Sequence, residues 1–200
     1  MCNLYRIKET AAEIAGLFEV ANEAIGSNAA ELVYPGYPGL VIAAGAVRSM
    51  VWGFPLQQAS KRTGQPLKPR PVNNARAENL GSFMWRYSFV ERRCLIPLGA
   101  WAEAEGPRGA MTRTWLGLPD TPVFAVAGLW RDSVEWGPCY TMIMTQAAGD
   151  ARAVHDRMPV ILDPRDFETW TKGLPDDAFA LCRGYAGGLA IDRTGEPWAG

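Results

Sequence analysis

The sequence predicts an α+β fold in one domain spanning residues 1–200: mostly antiparallel strands packed as a sandwich or open barrel, flanked by short helices. Three observations point there. The second half of the chain is a series of short apolar or alternating runs bounded by Gly, Pro and Asp, the mark of strands that pack sheet on sheet. The helical signals are few and brief. Two hundred residues with 48% hydrophobic and 20% charged side chains suffice to bury a core.

The elements follow in order. "TAAE" at residues 10–13 has the form of a capping box, and Ile14, Leu17, Phe18 and Ala21 recur at helical spacing, which predicts a helix over 11–22. "VYPGYPGLV" is Gly/Pro punctuation and reads as loop. "LVIAA" and "VRSMVW" read as two strands joined at Gly45. The stretch through Pro55, Pro66, Pro69 and Pro71 reads as a long loop, and loops of that length tend to be functional. "AENLGSFMWRYSF" is expected to be helical, weakened by Gly81. "RCLIPLGAWAE", "RTWLGL", "VFAVAGLW" and "CYTMIMT" are expected strands. A helical piece over "AAGDARAVHDRM" precedes the strand "PVIL". Asp163 is the expected N-cap of "DPRDFETW", with Pro164 at the first helical position, and "DDAFALCRGY" is a last short helix.

Bulk properties exclude several classes. No apolar run is long enough to span a bilayer, and "MCNLYRIKETAAE" lacks the apolar region of a signal peptide, so a cytoplasmic protein without membrane contact is expected. Cys2, Cys94, Cys139 and Cys182 form no CxxC, and His155 is the sole histidine; neither a metal site nor a cofactor is expected. A monomer is expected. Net charge is −1, yet residues 61–93 hold eight basic side chains against Glu78 and Glu91, and Arg outnumbers Lys sixteen to four across the chain. Arg is the better partner for phosphate.

Four stretches carry candidate chemistry. Cys2 follows the initiator, so removal of Met1 would put an α-amine and a thiol on one residue. Their ordinary pKa values of about 7.7–8.0 and about 8.5 leave both partly nucleophilic near neutrality. An amine condenses with an aldehyde to an imine, and a neighbouring thiol closes it to a five-membered thiazolidine. "PVNNARAE" offers Asn74 to orient a carbonyl or hydroxyl and Arg76 to grip a phosphate. In "IPLGAWAEAEG", alternation puts Glu103 on the face of Trp101, a setting for a raised carboxyl pKa and proton transfer. "AVHDRMPVIL" places His155 at the head of a buried strand.

Together, Met1-Cys2, "WGFP", "NARAE", "RCLIP", "FAVAGLW" and "HDRMPVIL" resemble the SOS response-associated peptidase (SRAP) family of abasic-site processing proteins, nearly end to end. The resemblance implies that Met1 is removed and that Cys2 forms a covalent thiazolidine crosslink with an abasic site in single-stranded DNA. It also implies self-processing peptidase activity, with lyase chemistry through the imine in some members. By match to its motifs, Asn74 orients the deoxyribose, Glu103 shuttles protons and His155 acts as a general acid in ring opening. Asn3, Leu4 and Ala104 stand where the family carries Gly, Arg and an aromatic residue. Arg6 is the expected replacement for phosphate contact, and Trp101, Trp52 and Trp85 for base stacking. Two other readings remain open: an N-terminal-nucleophile amidohydrolase using the Cys2 thiol, and a noncatalytic nucleic-acid binding module.

Overall fold

The computed structural model describes residues 2–27 and 30–198. Met1, and with it the expectation of its removal, lies outside the described residues.

The fold is α+β with mostly antiparallel strands. One sheet has five strands in the order Ala190–Pro197, Thr112–Gly117, Ala100–Glu105, Tyr5–Arg6 and Leu32–Val33. Beside it, a larger set of ladders closes on itself. Phe124–Ser133 pairs with Arg93–Leu98, which meets Pro38–Ala43; that strand pairs with Ala46–Trp52, which returns to Gly137–Gln146 in parallel register. The far end of Gly137–Gln146 takes two further strands, Asn74–Arg76 in parallel and Arg157–Pro159 in antiparallel. This seam carries the site described below.

The hairpin at Gly45 forms as expected. Ala44 and Gly45 have φ of 50° and 78°, the paired positive values of a two-residue turn matched to strand twist. The first helix is shorter than its periodicity suggests. It covers Ala11–Leu17 with the Thr10 capping box intact, and Glu19 at φ 53° turns the chain into the strand Ala21–Asn22. The proline-rich stretch is no loop. Phe54–Ala59 and Pro66–Val72 form a two-stranded antiparallel ribbon in which Pro55 faces Pro71, tolerable because a ribbon has two free edges where missing N–H groups leave no ladder bond unmade. "AENLGSFMWRYSF" is helical only at Ala77–Asn79, a 3₁₀ turn, and Arg86–Glu91. In the region of "AAGDARAVHDRM" the helical part is the 3₁₀ segment Gly149–Ala153. Asp163 caps as expected. Ala190–Pro197, which has no strong apolar pattern, pairs as an edge strand.

Arg93 belongs to the interior, not to the basic surface. Its guanidinium donates to the Phe89 and Val90 carbonyls at 2.6 and 3.2 Å, and to those of Trp170 and Gly173. These groups close the ends of the helices Arg86–Glu91 and Phe167–Lys172, where a fixed positive charge complements unpaired carbonyls.

A buried aromatic joint ties the five-stranded sheet to the closed ladders. Tyr5 lies edge-on to Trp52 at 5.0 Å between ring centroids, Trp52 stacks on Tyr140 at 6.4 Å, and the two tyrosine hydroxyls meet at 2.5 Å. Gly39 lies against both hydroxyls, and a Cβ there would collide with each. Gly39→Ala is therefore expected to cost about 1–3 kcal/mol by overpacking, read as a Tm loss of about 2–4 °C per kcal/mol. Gly16, in a helix with open space around it, is the control: Gly16→Ala is expected to stabilise by about 0.5–1 kcal/mol. Equal behaviour of the two variants would contradict the joint.

Candidate active site

The residues that precede Tyr5 run back along Ala100–Glu105, held by the Ala102 N–H donating to the Leu4 carbonyl at 2.9 Å. Cys2 ends fully buried, its thiol donating to the Leu4 carbonyl at 3.4 Å. The Cys2 carbonyl accepts from Asn74 Nδ2 at 2.7 Å and from Asn73 Nδ2 at 2.9 Å. Asn74 opens the parallel strand at the seam and Asn73 is the residue just before it; the Asn73 carbonyl in turn accepts from Met142 N–H and from Trp52 Nε1, each at 3.0 Å. Asn74 is 9% exposed, and its Oδ1 has no hydrogen-bond partner among the described residues. A buried amide oxygen left open is costly, and here it is an acceptor waiting for a donor.

Glu103 is 2% exposed on its strand. Burial raises its pKa above the ordinary carboxyl value, because a charge there loses hydration. Burial, reinforced by the nearby Glu103 carboxyl, also pushes the Cys2 thiol well above its ordinary range, so the thiol is neutral at physiological pH. His155 brings Nε2 to 4.0 Å from Glu103 Oε2. Its Nδ1 lies 2.9 Å from the Arg157 amide nitrogen and 3.2 Å from the Arg157 carbonyl oxygen, accepting from the first in the tautomer protonated at Nε2 and donating to the second in the tautomer protonated at Nδ1. Asp156 Oδ1 lies 3.0 Å from Nδ1 and makes an ion pair when the ring is charged. Arg157 then forks onto Glu78 at 2.9 and 2.5 Å, holding the Glu78 carboxyl down at about 2. That pair fastens the segment carrying His155 to the segment that follows Asn74.

Cys2, Asn74, Glu103 and His155 thus lie together. The expected DNA-contact residues divide. Arg76, two residues beyond Asn74 on the same strand, is exposed. Arg6 is not at the site: it stacks on Trp115 at 4.6 Å, on the side of the sheet where Leu4, Ala100, Ala102 and Trp115 cluster, whereas Tyr5 and Trp101 face the main core. Leu4 packs in that outer cluster. The expected stacking role of Trp52 and Trp101 is corrected: both are 0% exposed, Trp85 is buried too, and no base can reach their faces. Trp52 instead holds Asn73.

Three features were missed. Asn73 sits beside Asn74 in the doubled "NN", and nothing local distinguishes its role. The Glu78–Arg157 fork joins residues too far apart in sequence to be paired by pattern. Phe83 and Tyr87 are 81% and 64% exposed and flank the Arg86 guanidinium at 5.6 and 4.7 Å; Phe83 lies in the turn before the helix Arg86–Glu91 and Tyr87 in its first turn.

A closed set of ladders with a flanking sheet is a fold already seen in solved proteins. A Bacteroides thetaiotaomicron protein superposes with a TM-score of 0.80 at 17% identity, covering 96% of this chain and 91% of its own. A Bordetella bronchiseptica protein gives 0.79 at 22% identity, covering 96% and 99%. The chain belongs to the SOS response associated peptidase (SRAP) family, whose model matches residues 1–190. It is 34% identical over 104 residues to the abasic site processing protein YoqW of Bacillus subtilis (48% of this chain), and 30% identical over 128 residues to the abasic site processing protein YMR114C of Saccharomyces cerevisiae (62% of this chain). Those matches span 46% and 34% of the two relatives' own lengths.

The raised Glu103 pKa has a stability consequence. Folding favours its protonated form, so stability falls as pH climbs from below the ordinary value of 4.5 through the raised one. Glu103→Gln removes that penalty. The variant is expected to match the wild type in acid and to melt about 2–4 °C higher at neutral pH, the equivalent of about 1 kcal/mol. Thermal melts across the range check this, and a lower neutral Tm for the variant would contradict it.

Proposed function

We propose that this chain captures abasic sites in single-stranded DNA as a covalent adduct on Cys2 after removal of Met1. The observation that carries the reading is the convergence of Cys2, Asn74, Glu103 and His155, with the buried Asn74 Oδ1 open to a donor. The names of the YoqW and YMR114C relatives, and the family description, support the substrate class and the peptidase step.

Release of Met1 is hydrolysis of one peptide bond, in which water gives its hydroxyl to the Met1 carbonyl carbon and its remaining proton to the Cys2 nitrogen, which leaves as the new amine. The free Cys2 amine then adds to the sugar aldehyde exposed when the deoxyribose ring opens, a step in which His155 donates to the ring oxygen. Asn74 Oδ1 accepts from a sugar hydroxyl and fixes the carbonyl carbon. Glu103, whose protonated form burial favours, delivers a proton as the carbinolamine expels water to give the imine. The neutral thiol adds across the C=N bond: sulfur bonds to carbon, its proton passes to nitrogen, and the net loss is one water. The same imine opens a lyase route, since loss of the adjacent proton expels the 3′ phosphate.

Arg76 and the exposed Phe83–Arg86–Tyr87 group supply the contacts to the strand, the arginines to phosphate and the rings to bases.

With an abasic single-stranded oligonucleotide, the wild type is expected to give a heat-stable shifted band and Cys2→Ala none. A band that persists in Cys2→Ala sinks the reading, as does an intact mass showing Met1 retained. Replacing Phe83 and Tyr87 together by Ala is expected to weaken reversible binding of undamaged single strands about tenfold or more. Fluorescence anisotropy reads it, and unchanged affinity would remove those rings from the DNA surface.

A further inference from the structure

We propose that Asn73 and Asn3 form a positioning unit, separate from Asn74, that locks the Cys2 carbonyl and thereby aims the reactive end of the chain. The inference rests on the capture reading above and adds residues that reading does not use. Asn73 Nδ2 has two hydrogens, and both are committed: one to the Cys2 carbonyl at 2.9 Å, the other to Asn3 Oδ1 at 3.1 Å. With Asn74 donating at 2.7 Å, both lone pairs of the Cys2 carbonyl are taken. The carbonyl carbon is bonded directly to the Cα that bears both nucleophiles. Fixing it leaves the amine only the Cα–C torsion, and the thiol that torsion and the one about Cα–Cβ.

Asn73 is itself held from the interior. Its carbonyl accepts from Met142 N–H in the ladder seam and from the indole of the fully buried Trp52. A continuous run of hydrogen bonds therefore leads from the aromatic joint through Trp52 and Asn73 to Cys2. Asn3, which is exposed, closes the run by taking up the second Asn73 proton, so that the amide holds one rotamer. Such a device acts on orientation, where a 1 Å misplacement can cost about 10²-fold in rate. It makes no contact that would hold the DNA.

The test is single-turnover crosslinking of an abasic oligonucleotide over a range of DNA concentrations, with Tm measured for each variant. Asn73→Ala is expected to lower the limiting rate by about 10–100-fold while the half-saturating DNA concentration stays within about twofold. Asn3→Gly is expected to give a smaller loss, and the double variant to be no slower than Asn73→Ala, because Asn3 acts through Asn73. A limiting rate equal to the wild type in Asn73→Ala overturns the proposal. So does a loss accounted for by an unfolded fraction, or a double variant whose defects multiply. If the wild type forms no adduct, the capture reading fails on its own, and positioning is then read by aminopeptidase trimming of the folded protein. Faster trimming of Asn73→Ala at unchanged Tm supports the lock, and equal trimming refutes it.

Discussion

The hydroxyl contact between Tyr5 and Tyr140 is the constraint on which the site depends. It joins the five-stranded sheet to the closed ladders at a point where both phenols are out of water. Either hydroxyl left alone there costs about 1–3 kcal/mol, so the two sheets have one relative placement that satisfies both. Cys2 lies three residues from Tyr5, within about 10 Å of extended chain. Where the joint puts Tyr5, the front of the chain must follow, and it follows into the seam that presents Asn73 and Asn74.

Burial does the chemical tuning. The same loss of hydration that raises the Glu103 carboxyl raises the Cys2 thiol, so burial favours the proton-bearing form of both. In the proposed capture reaction the amine is the first nucleophile, the thiol the second, and the carboxyl a donor. The cost appears as reduced stability at neutral pH, in the way that sites commonly trade stability for reactivity.

Much of the fold was legible because the strands of the second half are short, apolar and well punctuated, and because the Thr10 capping box and the Ala44–Gly45 turn are local signals. The errors share a cause. Pro55, Pro66, Pro69 and Pro71 argue against strands by local rule, but a ribbon with free edges forgives them. Glu19 ends a helix whose periodicity continues, through a backbone conformation that no pattern announces. In the site, Cys2, Asn74, Glu103 and His155 were readable from motif company. The tryptophans and Arg93 were misassigned because type and charge do not reveal burial: Trp52 and Trp101 serve the core, and Arg93 serves two helix ends. Asn73 escaped notice since its meaning lies in a partner 71 residues away.

The ribbon of Phe54–Ala59 and Pro66–Val72 has one more effect. Two strands standing apart from the larger sheets would ordinarily offer raw borders for another molecule to zip onto. Pro55 and Pro71 lie opposite each other, with no amide hydrogen at either, and Lys68 and Arg70 add exposed positive charge nearby. A second copy approaching in register meets missing donors and like charge together, which disfavours edge-to-edge pairing through that hairpin.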